Sequence, residues 1–446
     1  MLYQISQRFK LGVERFLPNP FIFALILTII TLLAGIILTN ESLFSMIEHW
    51  YGGFWDFLGF SMQMILIIIT GYALVQAPIV QKWVQKGASI PKNQKSAIII
   101  TMIVAAVSGF ISWGLGFILG TLFAIEVAKK VRSADFRILI AAAYTSTISI
   151  LPISITLTAP ILVNTPGHSL EDKMGLIPLT ETIFSPTMLF MAFIGFASML
   201  FIYIRMMPKK EDIIPIQLNN ETAATLETNQ TTIAKPSIAD RLDNNKIINY
   251  IVVSIGMIWI VSYFYHNGFN LDLNILNFTF IILGLILHGS PKSYVNAITK
   301  GMPSASGIAL QFPFYAGIMG MMAGSGLVYI IANGVVSISN EFTFPFFSYA
   351  SSIFISIFVP SAGGQWQLQG PIMVEAAQAL GVSLTVPVNT YSIGDLVANL
   401  IQPFFVLPAL GLSGLSLKDI WGYCLVSLIV LFIIGTIAVT FIPIIF

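Results

Sequence analysis

The positions of the lysines and arginines constrain the fold of this chain more than any other feature. All of its 21 cationic residues except Lys173 can be placed on one side of a membrane if two segments enter the bilayer and return to the side they came from. Hydrophobic residues make up 56% of the chain and charged residues only 9%, and stretches long enough to span hydrocarbon recur along it. Because cytoplasmic loops collect cations, Arg8, Lys10 and Arg15 place the N-terminus inside. The sequence therefore predicts an all-α, multi-pass protein of the cytoplasmic membrane.

Two apolar stretches are too long for one span and contain residues that break helices. Residues 97–128 have cations at both ends and contain Ser112 to Gly116 at the midpoint, where glycine permits a tight reversal. We expect a re-entrant hairpin with arms of about 14 residues. A second hairpin is predicted at 340–380, where no charge occurs between Phe342 and Val374. Proline and glycine from Val359 to Pro371 argue against a continuous helix there, and an extramembrane loop is the alternative.

The two halves of the chain resemble each other at a nearly constant offset. Gly114 precedes Gly364 by 250 residues, and Gln63 precedes Gln311 by 248. A long span, a glycine-containing hairpin and a proline-broken span follow in the same order in both halves. The predicted organisation is a first repeat at 1–207, a cytoplasmic linker at 208–246, a connecting helix at 247–265 and a second repeat at 266–446. The connecting helix inverts the second repeat, which gives about nine transmembrane helices and a C-terminus outside.

Inverted repeats with broken helices are typical of secondary transporters, whose sites lie near the bilayer midplane. Helix N-termini suit an anion there and carbonyl ends suit a cation, so a carboxylate can be held without a buried arginine. The candidate substrate-binding residues at the two predicted breaks are Ser112, Trp113, Gly114, Gly116, Ser361, Gly363, Gly364, Gln365, Trp366 and Gln367. The candidate ion-coupling residues are Thr145, Ser146, Thr147, Asp395, Asn399 and Gln402.

The ion-coupling residues have a structural alternative. Serine and threonine hydroxyls can bond back to carbonyls of their own helix. Asp395 is an acidic residue inside a predicted span, where a charge costs roughly 2.5 to 3.5 kcal/mol, so we expect it to have a partner or a proton. A protonated aspartic acid that only bonds a neighbouring helix is the alternative at Asp395. Whether the driving ion is Na⁺, H⁺ or neither is left open.

Several segments identify the chain as similar to a known family. Residues 311–320, the hairpin segment 360–379 and the early segments 53–55 and 62–64 resemble the bacterial short-chain fatty acid transporter family. The resemblance implies transport of acids such as butyrate or acetoacetate across the bacterial inner membrane. It also implies membership of the ion-transporter superfamily, with an elevator-type homodimer surrounded by lipid. Gln311 and Tyr315 join the candidate substrate-binding residues on this basis.

Other classes of protein fit the sequence less well. Cys424 is the only cysteine, so we expect no disulfide and no cofactor or metal beyond a coupling Na⁺. The net charge of +1 argues against a nucleic-acid partner. Catalysis by an intramembrane aspartyl protease needs a pair of aspartates. No second aspartate besides Asp395 lies within a predicted transmembrane span, so we expect no enzyme. A channel for carboxylates, or a transporter of another small anion, remains the alternative function.

Overall fold

The structure is a computed structural model that describes residues 20–216, 238–268, 270–359, 362–401 and 405–445. Over these ranges the chain folds into helices and contains no strand. The helices of the first half are α1 (Pro20–Thr39), α2 (Leu43–Gly53), α3 (Leu58–Gln76), α4 (Pro78–Gly87), α5 (Gln94–Ile111), α6 (Trp113–Lys130), α7 (Phe136–Ile150), α8 (Thr158–Val163), α9 (Glu171–Met174) and α10 (Pro186–Arg205). Those that follow are α11 (Ile238–Asp243), α12 (Lys246–Asn267), α13 (Leu273–His288), α14 (Pro291–Gly301), α15 (Ser306–Gly324), α16 (Leu327–Ile338), α17 (Phe344–Phe358), α18 (Ala362–Leu380), α19 (Thr385–Ala398), α20 (Leu407–Ser413) and α21 (Leu417–Ile445).

Length and composition identify the helices that can cross a membrane. Six helical segments of the described ranges are long and apolar enough to do so: Leu58–Gln76, Gln94–Ile111, Phe136–Val163, Pro186–Arg205, Arg241–Asn267 and Leu417–Phe441. The segments Pro291–Gly324 and Leu327–Ile338 meet at an angle of 78° and add a seventh if they form one span. The chain is therefore a multi-pass membrane protein. Shorter apolar helices remain besides these, and the total of about nine crossings stays a prediction.

The predicted break at Ser112 is observed, and it separates two antiparallel helices. Ser112 is the single residue between α5 and α6 and has an extended backbone. A Cβ built on Gly116 would lie 2.7 Å from the Cα of Gly109, and one on Gly120 would lie 2.9 Å from the Cβ of Ala105. Each arm has 18 residues, more than expected, because a capping box at Asn93 starts α5 early and α6 continues to Lys130. Whether this hairpin enters and leaves on one side of the membrane stays a prediction.

The second predicted hairpin has a much shorter break than the sequence suggests. α17 ends at Phe358 and α18 begins at Ala362, while Pro360 and Ser361 lie outside the described residues. The expectation of a broken segment as far as Pro371 is wrong, because α18 runs through it as one helix. Residues of α18 are almost all buried, and tertiary packing of this kind outweighs the local helix cost of glycine and proline.

The order of helices repeats along the chain. The starts of α3 and α15 are 248 residues apart, those of α5 and α17 are 250 apart, and those of α6 and α18 and of α7 and α19 are 249 apart. α12 lies between the two series, where the connecting helix was placed. The recurrence supports two repeats, and their inverted orientation stays a prediction.

Three local features differ from the sequence-based expectation. The short helices α4 and α14 were not predicted; both are amphipathic and begin with proline, as suits helices at a membrane interface. Residues 217–237 of the linker at 208–246 lie outside the described residues. The first part of the linker is packed against the start of α7. The backbone N–H of Ile214 donates to the Asp135 carboxylate at 2.8 Å, and the carbonyl of Ile214 accepts from the N–H of Phe136 at 2.9 Å. This start of the linker therefore holds the beginning of α7.

Candidate functional site

The break between α5 and α6 leaves polar atoms without partners. Ser112 is fully buried, and its hydroxyl has no hydrogen-bond partner. The indole Nε1 of Trp113 is likewise buried and unpartnered. The backbone N–H of Trp113 donates to the Thr156 hydroxyl at 3.2 Å, and its ring meets the edge of Phe405 with centroids 5.9 Å apart. Because buried polar groups are nearly always paired in folded proteins, a pair of orphan donors at one break marks a candidate position for a hydrogen-bond acceptor.

The glycines of the first hairpin have different environments. A Cβ on Gly114 would meet only the Ser112 hydroxyl, at 3.9 Å, which is an ordinary contact. A Cβ on Gly116 would lie 2.5 Å from Cγ2 of Thr147. Gly114 therefore borders the unpartnered serine hydroxyl, whereas Gly116 is needed for close packing of the hairpin.

The second break also carries orphan polar atoms. Gln365 and Trp366 are fully buried, and Oε1 of the glutamine and Nε1 of the tryptophan have no hydrogen-bond partner. The ring of Trp366 lies 5.1 Å from that of Tyr391, whose hydroxyl donates to the carbonyl of Ala362. The two breaks thus share one feature, a tryptophan indole N–H that is buried and unpartnered.

The remaining substrate candidates of the second half gather around the start of α18. A Cβ on Gly363 would lie 2.7 Å from Cζ of Phe60, and one on Gly364 would lie 2.4 Å from Cδ2 of Tyr315. The Tyr315 hydroxyl donates to Oε1 of Gln311 at 3.4 Å. These glycines let α3 and α15 approach the hairpin. Ser361 lies outside the described residues.

Gln367 points to a different neighbour. Its Oε1 accepts a hydrogen bond from the hydroxyl of Ser169 at 2.5 Å, so this side chain is engaged by the loop after α8. The structure therefore places Gln367 in a contact between the two halves of the chain.

Asp395 lies on α19 against the first arm of the second hairpin. Its side chain is 2% exposed, and its Oδ1 accepts from the Ser356 hydroxyl at 3.1 Å. Gly394 allows this approach, because a Cβ there would lie 2.6 Å from the carbonyl oxygen of Tyr349. Asn399 follows one turn later, as predicted, and its carbonyl accepts from the Tyr144 hydroxyl at 2.6 Å. Gln402 lies outside the described residues.

The polar residues of α7 are bonded to backbone. Thr145 and Thr147 donate to the carbonyls of Ala141 and Ala143 at 2.9 and 3.0 Å, which favours the structural alternative for both. Ser146 donates to the carbonyl of Met102 at 2.6 Å and so ties α7 to α5. Of the three, Ser146 therefore bonds to the first hairpin.

Sequence reasoning missed Ser356, the partner of Asp395, and a signal for it was present. Ser348, Ser352 and Ser356 recur every four residues in α17, whose other residues are apolar except Tyr349 and Ser351, and all three are fully buried. Side chains four apart share one helix face. A serine stripe in an apolar helix therefore predicts a polar neighbour. Tyr144, which bridges from α7 to Asn399, had no comparable signal.

Solved structures resemble this fold over nearly its whole length. The YdaH transporter of Alcanivorax borkumensis superposes with a TM-score of 0.51 at 14% identity, covering 95% of this chain and 98% of its own. MtrF of Neisseria gonorrhoeae, described within a class of antimetabolite efflux pumps, gives 0.51 at 15% identity, covering 99% and 97%. At this level of identity the likeness concerns the fold alone. With the helix breaks, it defines the class of the chain as a multi-pass helical protein with the fold of these two solved structures.

The sequence comparisons are more specific. A profile described as short chain fatty acid transporter matches residues 1–442. A relative in Escherichia coli (strain K12), named provisionally as a short-chain fatty acid transporter, is 38% identical over 441 residues, which is 98% of this chain and 99% of the relative. A relative in Haemophilus influenzae with the same provisional name is 36% identical over 446 residues, covering 98% and 99%. The chain belongs to the short-chain fatty acid transporter family, as its resemblance indicated.

Proposed function

We propose that this protein is a secondary active transporter that carries short-chain carboxylates, of the size of butyrate, across the bacterial cytoplasmic membrane. Transport occurs by alternating access and is coupled to Na⁺ or H⁺. The single observation that carries the proposal is the set of orphan polar atoms at the two helix breaks. Ser112 and the indoles of Trp113 and Trp366 are hydrogen-bond donors without acceptors.

A carboxylate is the chemical complement of these donors. It is an acceptor only, and hydrogen bonds to a charged acceptor are roughly twice as strong as neutral ones. The surrounding rings, Phe405 beside Trp113 and Tyr391 beside Trp366, offer apolar surface for a short alkyl chain. A larger or more highly charged anion would need cations, and the candidate residues at the breaks include none.

Ion coupling rests on Asp395. This carboxyl group is buried on α19, and its Oδ1 accepts a hydrogen bond from the hydroxyl of Ser356. A buried carboxyl group is stable when it is protonated or when a cation neutralises it. Either state gives the transporter a way to sense its driving ion.

The test is uptake of labelled butyrate by proteoliposomes under imposed sodium or proton gradients, for the wild type and for two tryptophan variants. Trp113→Phe and Trp366→Phe keep an aromatic ring but remove the indole N–H. If that N–H binds the carboxylate, each change should raise KM by about tenfold to a hundredfold, since a hydrogen bond to a charged group contributes about 1.5 to 3 kcal/mol.

Trp421 provides the matched control. It lies on α21, is 4% exposed and also has an unpartnered Nε1, yet it is remote in sequence from both breaks. Trp421→Phe should leave KM unchanged. Absence of saturable, gradient-driven uptake by the wild type would refute the transporter proposal, and flux that does not saturate would favour a channel.

A further inference from the structure

A short segment of the first half is fastened onto the second hairpin. This segment, called the strap here, covers residues 167–176 and contains α9. We propose that the strap is a latch on α18, and that it must release before the hairpin moves during transport. The statement that the strap must release during transport rests on the proposed function. The latch itself rests on the contacts between the strap and the second half of the chain.

Four contacts join the strap to helices of the second half. The Lys173 ammonium lies 2.8 Å from the Glu375 carboxylate and 5.0 Å from the centroid of the Tyr329 ring. The carbonyl of Lys173 accepts from the amide of Gln378 at 2.9 Å. The fourth contact is the bond from the Ser169 hydroxyl to Gln367. Lys173 alone thus makes three of them, through charge, aromatic ring and backbone.

The contacts on α18 form one line. Gln367, Glu375 and Gln378 are separated by eight and three residues, which places them within about 80° on the helix surface. The strap therefore lies along one face of α18, from Gln367, which follows Trp366 directly, to Gln378 near the end of the helix. Because α18 is one continuous helix, contacts along this face hold the whole second arm of the hairpin.

The strap is preorganised, with a glycine of positive φ at each end. Gly167 and Gly175 have φ of 81° and 65°, in the region that favours glycine. Between them the Glu171 carboxylate accepts from the N–H of Gly167 at 2.5 Å. The imidazole of His168 is 7% exposed; its Nε2 bonds the carbonyl of Gly175 at 3.0 Å, and its Nδ1 accepts from the N–H of Leu170 at 3.3 Å. Such a segment can move as a unit when its contacts to α18 break.

Partial exposure makes the ion pair between Lys173 and Glu375 reversible. The side chains of Lys173 and Glu375 are 36% and 29% exposed, so water can replace each partner at small cost. Burial lowers the pKa of Lys173, but its bonds to the Glu375 carboxylate outweigh this and raise the pKa overall. The ammonium is therefore charged when the latch is closed.

The first half supplies a matched control. Glu126 lies 249 residues before Glu375 and pairs with Lys129 at 2.6 Å, but both residues belong to α6, so that ion pair joins no second element. Lys129→Gln removes an exposed ion pair of the same kind without touching the strap.

The first experiment is hydrogen–deuterium exchange of the purified protein in lipid nanodiscs. Lys173→Gln should raise the exchange rate of residues 376–384 by roughly two- to fivefold, as expected for loss of an exposed ion pair, whereas Lys129→Gln should not change it. Equal exchange in the two variants would overturn the latch, whether or not the protein transports butyrate.

The second experiment locks the strap. Ser169→Cys and Gln367→Cys, combined with Cys424→Ser, place one thiol on each side of this contact. Because the cysteine side chain is shorter than that of glutamine, a short bis-methanethiosulfonate reagent is used to bridge the two thiols. Cross-linking should stop butyrate uptake and reduction should restore it, while the reagent should change uptake far less in each single-cysteine variant. Full uptake by the cross-linked protein would refute release of the strap; absence of uptake in the reduced protein and in the wild type would refute the proposed function instead, and exchange would still decide the latch.

Discussion

Substitution of Gly116 tests how closely the arms of the first hairpin pack. In Gly116→Ala the new methyl group would lie 2.5 Å from Cγ2 of Thr147 and 2.7 Å from Cα of Gly109. The threonine methyl can turn aside, but the second atom is backbone. Since carbon atoms in ordinary contact are about 3.5 Å apart, α5 and α6 must separate by about 0.8 Å.

The variant Gly114→Ala, two residues away, is the control that isolates the free-energy cost of this separation. Overpacking a buried site costs about 1 to 3 kcal/mol. Alanine also gains up to about 1 kcal/mol over glycine in a helix, but Gly114→Ala shares that gain and its methyl group meets only the Ser112 hydroxyl, at 3.9 Å. The free energy of unfolding of Gly116→Ala should therefore lie about 1 to 3 kcal/mol below that of Gly114→Ala.

Denaturant titration in detergent, followed by tryptophan fluorescence, measures this difference. Gly114→Ala should fold normally yet raise the KM for butyrate, because the added methyl group occupies space beside the orphan serine hydroxyl. Equal stability of the two variants would show that the hairpin arms do not meet at Gly109. A normal KM in Gly114→Ala would remove Gly114 from the substrate site.

Three further predictions concern topology, coupling and pH. With Cys424→Ser as background, a cysteine at Ser89 should react only with cytoplasmic maleimide and one at Ser169 only with external maleimide; labelling of both from one side would contradict the orientation inferred from the cations. Asp395→Asn keeps the shape of the side chain but removes its charge, so gradient-driven accumulation of butyrate should disappear while exchange persists; unchanged accumulation and ion dependence would exclude Asp395 from coupling. Burial lowers the pKa of His168, so the unfolded strap binds a proton more readily than the folded one. The strap should lose stability as pH falls below about 6.5, towards the lower pKa of the folded state, and protease cleavage within it should rise relative to His168→Gln. An equal pH dependence in the two proteins would show that His168 does not control the strap.

The composition and order of residues specified the class of fold. Apolar stretches and the placement of cations predict a multi-pass helical membrane protein, because the bilayer selects continuous helices by length and hydropathy alone. The break at Ser112 was predictable for a similar reason, since the glycines lie at the middle of a stretch too long for one span. The recurring offset of about 250 residues likewise appears in both the glycines and the observed helix starts.

Tertiary structure decided what individual residues do. Gly114 and Gly116 look alike in the sequence, but one borders an orphan hydroxyl and the other closes a helix contact. Gln367 accepts a hydrogen bond from Ser169. Lys173 was only an exception in the charge pattern, but in the structure it forms an ion pair with Glu375, about 200 residues away. Hydropathy and helix breaks are local properties of the chain and can be read in order along it. Which polar group finds a partner, and which stays unpartnered, depends on packing between distant helices.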